Sequence, residues 1–182
     1  MILLDKEPVK RVEKFLKDFD QSLEVIVLEN SARTAKDAAT ALDCNVGAIV
    51  KSLLFKTGDG FTLCLVAGDK RCSLIKLKKI KDEKDISMAS PEDVKAQTGY
   101  TIGGVSPIGH LEKIEIIIDN SLKRFNELFA AAGHPNCVFK INFKDIQKIT
   151  NGKVEDIIEW DSKINWLYFI SNFIFNMGVS FF

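Results

Sequence analysis

The chain has 182 residues, 46% of them hydrophobic and 27% charged, values that are ordinary for one globular domain and exclude a disordered chain. Because 25 Lys and Arg residues balance 25 Asp and Glu residues, the chain has no global basic bias, and any contact with nucleic-acid phosphates is expected to be local. The four cysteines have no CxxC spacing and the two histidines complete no ligand cluster with them, so we expect no metal and no cofactor. Unpaired thiols, together with early charges that interrupt any signal peptide, favour the reducing cytoplasm.

The N-terminal half of the chain predicts short helices and strands. Apolar residues at helical spacing follow Pro8, which suits the first turn of a helix. Two apolar runs flank residues 57–60, whose glycines indicate a hairpin turn. Thr34 and Ser90 are suitable N-cap residues. In chain order we predict helices over 8–19, 73–80 and 91–98, and strands over 24–29, 49–56 and 61–67. A further helix begins at Ser31 or at Arg33-Thr34 and runs through Leu42.

The C-terminal half mixes the same elements without strict βαβ alternation. Residues 101–109, TIGGVSPIG, are too rich in glycine and proline for regular structure. We predict strands over 113–119, 137–141 and 154–158, and helices over 120–132 and 143–149, the first of them ending at Gly133. The fold class is therefore α+β, with a mixed, strongly curved sheet surrounded by short helices.

Residues 161–182 differ in kind from the domain that we place at 1–160. The stretch 164–182 has no charged residue and holds five of the 13 phenylalanines. A membrane span needs about 20 mainly apolar residues, but three asparagines and two serines in this stretch disfavour one. The alternatives are a tail that packs on the domain or on a partner, and a tail that is foreign to the domain.

Lys51 is the first candidate for chemistry. It lies in the predicted strand 49–56 and shares its face with Ile49, Leu53 and Phe55. A lysine on an apolar face is unusual, because its charge is costly to bury without a partner. Lys51 is therefore either a functional cation or an edge-strand lysine whose ammonium reaches water.

The loop 103–107 is the second candidate. Paired glycines let a backbone approach a ligand closely, and successive N–H groups of such a loop can hold an anion or a developing oxyanion. Pro107 would stiffen its far side. The other interpretation is a plain connecting turn.

Residues 70–84 hold the chain's one basic concentration, which includes Lys76 and Lys79. This segment is either a phosphate-contacting surface or an ordinary solvated helix face. Nucleophile-elbow, Walker and dinucleotide-binding motifs are all absent from the sequence.

Taken together, several segments resemble one known family. The pattern SARTAKDAATALDCNVGAIVKSLLF, then GDKRCSL, TGYTIGGVSPIGH, IIIDNSL and FAAAGHPN, resembles the YbaK-type aminoacyl-tRNA deacylases, which are similar to the editing domain of bacterial prolyl-tRNA synthetases. The resemblance covers roughly residues 9–158 and leaves out the tail. It implies a mixed sheet curled towards a barrel, with helices packed around it.

The resemblance also implies a set of site residues. Lys51 falls on the family's essential lysine, and Thr34 matches a threonine near the pocket. The GxxxP loop of the family matches Gly103 and Pro107, with Gly104 and Ser106 inside it. Asp119 matches a recurring aspartate, and we expect Lys76 and Lys79 to contact the tRNA.

The activity implied is trans-acting hydrolysis of mischarged aminoacyl-tRNA, with tRNA(Pro) carrying Cys, Ala or another small amino acid as the expected substrate. The partners implied are the acceptor end of the tRNA and an aminoacyl-tRNA synthetase. Because the ester is labile, positioning and charge stabilisation by Lys51 and the loop would suffice, with water or the substrate's own side chain as nucleophile. The alternative is a non-catalytic module that binds tRNA or a synthetase.

Overall fold

A computed structural model describes residues 3–29, 34–58 and 60–159. Within these ranges it contains five α-helices and eight β-strands. The helices are α1 (Glu7–Phe19), α2 (Ala35–Ala41), α3 (Leu74–Lys81), α4 (Pro91–Thr98) and α5 (Phe143–Thr150). The strands are β1 (Val25–Val27), β2 (Ile49–Thr57), β3 (Gly60–Ala67), β4 (Ser87–Met88), β5 (Glu115–Asp119), β6 (Leu128–Ala131), β7 (Cys137–Ile141) and β8 (Lys153–Glu155).

The eight strands form one mixed sheet. Its order is β1-β7-β6-β2-β3-β5-β8, and β4 pairs with a further stretch of β2. The pairs β2–β6, β3–β5 and β5–β8 are parallel, and the remaining pairs are antiparallel. This pairing, with short helices between the strands, confirms the predicted α+β class. The barrel-like curl stays a prediction.

The β2–β3 hairpin forms the centre of the sheet, as its apolar runs predicted. Side chains of β3 alternate between two core clusters: Leu63 and Leu65 face the larger one, whereas Cys64 and Val66 face another. All four are buried. The sheet is thus covered on both faces at its centre, which holds β2 and its lysine in a fixed frame.

The predicted helix over 120–132 is wrong. A 3-10 turn spans Asn120–Arg124, and the protein then enters β6, which pairs with β2 on one side and with β7 on the other. The apolar residues of a strand buried on both faces can match helical spacing by chance. Here pairing with two neighbours outweighs the helical propensity of the segment's Leu and Ala residues.

The helix starts agree with the sequence. Thr34 and Ser90 each close a capping box with an aspartate three residues later, Asp37 and Asp93. Over the described ranges, no helix has both the length and the apolar content that crossing a membrane requires. Residues 161–182 lie outside those ranges, so the predictions for the tail and for the domain boundary stay untested.

Candidate functional site

The central strand β2 has a gap along one edge. Its first two residues, Ile49 and Val50, pair with β6, and Phe55 and Lys56 pair with β4. Between these pairings no strand of the described ranges borders residues 51–54 on that side, although β3 pairs with the whole stretch on the other side. A cavity of about 530 Å³ lies at the gap.

The cavity wall is mainly apolar. It draws residues from α2, β2, β4, α4, β6, β7 and the loop after α4. Among the described residues that line it, Lys51 is the one with a charged side group, and Thr34 and Ser52 carry hydroxyls. Cavities of roughly 300–1,000 Å³ with few polar groups are typical of small-ligand sites.

Lys51 lies in the middle of the gap. Its side chain is half-buried, and Nζ donates a hydrogen bond to the backbone carbonyl of Lys70, in the loop between β3 and α3. Burial lowers the pKa of the Lys51 ammonium; the Asp69 carboxylate opposes this shift and the Arg71 guanidinium adds to it. A cation in such poorly solvated surroundings interacts strongly with any negative charge that enters the cavity.

The loop 101–109 is anchored at its far end. The Tyr100 hydroxyl lies 2.8 Å from the carbonyl oxygens of Ile108 and Gly109, and its one hydrogen is shared between them. Arg11 of α1 donates from Nε to the Gly109 carbonyl at 2.6 Å and stacks over the Tyr100 ring. These contacts tie the loop to α1, so its near end meets the cavity in a defined position.

Three residues of this loop line the cavity, Ile102, Gly103 and Val105, and each carries a backbone N–H. The Gly104 N–H is engaged, because it donates to the Thr101 carbonyl at 2.9 Å. Gly103 has φ +89°, a left-handed conformation that favours glycine. The arrangement can present the N–H groups of Gly103 and Val105 to a ligand oxygen.

Ser106 and Pro107 are buried and do not line the cavity. The Ser106 Oγ accepts from the Ile108 N–H at 3.4 Å, and its carbonyl lies 2.8 Å from Nε2 of His110. Burial lowers the pKa of His110, so its ring is neutral near pH 7 and Nε2 is the donor in this bond. Ser106 and Pro107 therefore support the loop on the side that faces away from the cavity.

Of the other residues expected at the site, Thr34 lies in the cavity wall and the two lysines lie elsewhere. Thr34 lines the cavity, while its Oγ1 accepts from the Asp37 N–H at 3.1 Å. Lys76 pairs with Asp156 at 2.7 Å, and Lys79 is exposed on α3. Neither lysine lines the cavity.

Asp119 is fully buried, and it accepts the N–H groups of Ser121 and Ile157, each at 2.9 Å. It does not line the cavity. We expect Asp119→Ala to lower the free energy of unfolding by roughly 1–3 kcal/mol for each donor it leaves buried and unpaired. Chemical denaturation measures this loss. A variant with unchanged stability and lost activity would instead indicate direct substrate contact.

Sequence reasoning gave no site role to Met88, Phe129, Pro135 or Cys137, all of which line the cavity. The motif FAAAGHPN contains Phe129 and Pro135 and could have identified them. Nothing in the pattern around Met88 or Cys137 does so. Burial raises the pKa of the Cys137 thiol, which therefore stays protonated at neutral pH.

The sequence matches the aminoacyl-tRNA editing domain family over residues 29–149. The uncharacterized protein YwhH of Bacillus subtilis (strain 168) is 33% identical over 147 residues, which are 80% of this chain and 93% of that protein. The proline–tRNA ligase of Thermosipho africanus is 35% identical over 104 residues, 57% of this chain. The match spans only 18% of that ligase.

Comparison with a solved structure agrees with these sequence matches. A crystal structure described as a candidate trans-editing enzyme for prolyl tRNA synthetase superposes with a TM-score of 0.81 at 36% identity. The likeness covers 85% of this chain and 99% of the other. With the family match over 29–149 and the identity to YwhH along most of both proteins, this chain belongs to the aminoacyl-tRNA editing domain family.

Proposed function

We propose that the protein is a trans-acting deacylase that hydrolyses the ester of mischarged aminoacyl-tRNA, with small amino acids on tRNA(Pro) as its substrates. The observation that carries this proposal is the cavity at the gap of β2, whose wall contains both Lys51 and the loop residues Gly103 and Val105. Relatives that are proline–tRNA ligases support the choice of tRNA. The reaction takes place in the cytoplasm, where charged tRNA is found.

The reaction breaks the bond between the acyl carbon and the ribose oxygen. Attack by water, or by the substrate's own side chain, places negative charge on the ester carbonyl oxygen. The N–H groups of Gly103 and Val105 stabilise that charge, and Lys51 neutralises it or holds the phosphate of the terminal adenosine. When water attacks, its proton passes to the departing ribose oxygen, and a free amino acid and an uncharged tRNA are left. When a substrate thiol attacks, the thiol proton passes to the ribose oxygen, and the amino acid leaves as a cyclic thioester that water then opens.

The cavity takes only the end of the tRNA. Met88 and Ile102, which are 58% and 65% exposed, line it and offer apolar surface to the terminal adenosine. The net charge of zero fits a contact limited to the acceptor end. Lys79 and its neighbours on α3 extend that contact along the acceptor phosphates, and a synthetase is the second partner that we expect.

A deacylation panel tests the proposal. Purified protein is incubated with tRNA(Pro) charged with Cys, Ala, Ser or Thr, and with correctly charged Pro-tRNA(Pro) as control, and the remaining ester is measured over time. We expect fast loss of at least one mischarged ester and slow loss of the control. Binding of charged tRNA without loss of any ester would favour the non-catalytic module.

The pH dependence of the reaction provides a separate prediction. Because burial lowers the pKa of Lys51, its ammonium deprotonates at a lower pH than an exposed lysine. The catalysed rate, after subtraction of spontaneous ester hydrolysis, should therefore fall with rising pH before exposed lysines titrate. In Lys51→Arg the guanidinium stays charged, so any residual activity should lack this fall. A wild-type rate that is flat through the alkaline range would contradict the role of the cation.

A further inference from the structure

Ser52 lies at the centre of the gap in the sheet, and strand geometry fixes which way its backbone points. In a regular strand the N–H and C=O of one residue point to the same edge, and successive residues alternate. The Leu54 carbonyl points away from β3, because it accepts from the Ala89 N–H beside β4 at 3.0 Å. The register of β2 with β3 is continuous, without a bulge.

Two residues before Leu54, the N–H and C=O of Ser52 therefore point to the same open edge, whereas those of Lys51 and Leu53 point to β3. The pairing with β6 ends at Val50, and the pairing with β4 begins at Phe55. Ser52 thus presents a donor and an acceptor to the cavity that it lines.

The Ser52 hydroxyl adds a third polar group. Its Oγ is buried and has no hydrogen-bond partner among the described residues. Buried polar groups are satisfied in most native proteins, and an exception calls for an explanation such as a ligand. The Oγ atoms of Thr62 and Ser121 share this property, but neither residue lines the cavity.

The position of Ser52 relative to Lys51 also matters. Side chains of neighbouring strand residues project to opposite faces, so the Ser52 hydroxyl and the Lys51 ammonium lie on different sides of β2. The Lys51 ammonium is engaged with the Lys70 carbonyl. A positively charged group of a ligand can therefore approach Ser52 without lying directly against the Lys51 ammonium.

We propose that Ser52 binds the α-ammonium group of the aminoacyl ester, through its backbone carbonyl oxygen and its Oγ, while its N–H donates to an oxygen of the ester or ribose. This inference rests on the proposed function and assigns a further substrate-binding residue to the same site. It makes the cavity selective for acyl groups that carry a free α-amino group. An α-hydroxy acid of the same size lacks the charge that Ser52 recognises.

The test compares two hydrolysis-resistant probes, the alanyl and the lactyl amide of 3′-amino-3′-deoxyadenosine. They differ in the α-ammonium, which the lactyl probe replaces with a hydroxyl. We expect wild-type protein to bind the lactyl probe about tenfold more weakly, the size expected for one hydrogen bond to a charged group. In Ser52→Ala this difference should shrink. Thr62→Val, which removes another unpartnered hydroxyl outside the cavity, should leave it unchanged.

Amide hydrogen exchange checks the backbone part without any substitution. The Ser52 N–H should exchange faster than those of Lys51 and Leu53, and the alanyl probe should slow it. Equal binding of the two probes by wild-type protein, or a preference that Ser52→Ala leaves intact, would overturn the role of the hydroxyl. Protection of all three amides without the probe would overturn the open edge.

Failure of this inference is distinct from failure of the proposed function. If no ester in the deacylation panel is lost, the proposed function fails. If mischarged esters are lost and Ser52→Ala cleaves alanyl- and lactyl-tRNA in the same ratio as wild type, only the role of Ser52 fails.

Discussion

Replacing Lys51 with Ala is expected to reduce kcat/KM for mischarged tRNA by about 10²-fold or more, the loss typical when a group that stabilises transition-state charge is removed. Among the described residues that line the cavity, Lys51 carries the one charged side group, so no other described residue of that wall can supply a positive charge in its place. Burial desolvates the ammonium, which strengthens its interaction with an anionic oxygen or phosphate. Single-turnover deacylation measures the effect.

Lys56→Ala is the matched control. Lys56 lies on the same strand, is exposed and does not line the cavity, so we expect its variant to keep wild-type kcat/KM. Lys51→Met tests the charge alone, because it keeps an unbranched apolar stem and removes the ammonium. We expect it to be as inactive as Lys51→Ala while folding with wild-type stability. Full activity in either Lys51 variant would remove the central claim of the proposed function.

Local elements of the fold could be predicted because the residues that determine them are neighbours in sequence. The capping boxes of Thr34 and Ser90, and the pairing of Thr57 with Gly60 at the end of the β2–β3 hairpin, each depend on about four consecutive residues. The segment 120–132 could not be predicted in this way. Its conformation is decided by pairing with β2 and β7, and β2 in particular lies far away in the sequence.

The residues of the candidate site fall into the same two groups, those marked by their local sequence and those marked only by strand pairing. Lys51 could be noticed because a lysine on an apolar strand face is unusual, and Gly103 because paired glycines let a backbone approach a ligand closely. The gap in the sheet could not be predicted from the sequence, because it exists only between Val50, where the pairing with β6 ends, and Phe55, where the pairing with β4 begins. Nothing in the local sequence marks Ser52, and the substrate-binding role that we propose for it follows from that gap alone.

Gly104→Ala should lower both activity and stability, because the loop and the segment 133–135 are packed backbone against backbone. A Cβ at residue 104 would lie 2.9 Å from the Cα and N atoms of His134 and 3.1 Å from the carbonyl carbon of Gly133. Backbone atoms cannot rotate out of the way as the end of a flexible side group does. The loop therefore has to move, and its neighbours Gly103 and Val105 move with it.

A displacement of about 1 Å at a site that works by positioning can cost up to about 10²-fold in rate. We expect a loss of this order in kcat/KM for Gly104→Ala, with a lower Tm.

Gly60→Ala separates the two effects. Gly60 carries a positive φ, +134°, but a Cβ there meets nothing within 4 Å and the residue lies outside the cavity wall. It should lose stability through backbone strain and keep its activity. If Gly104→Ala retains wild-type kcat/KM, the backbone of Gly103–Val105 does not contact the reacting ester, and charge stabilisation has to come from Lys51 alone.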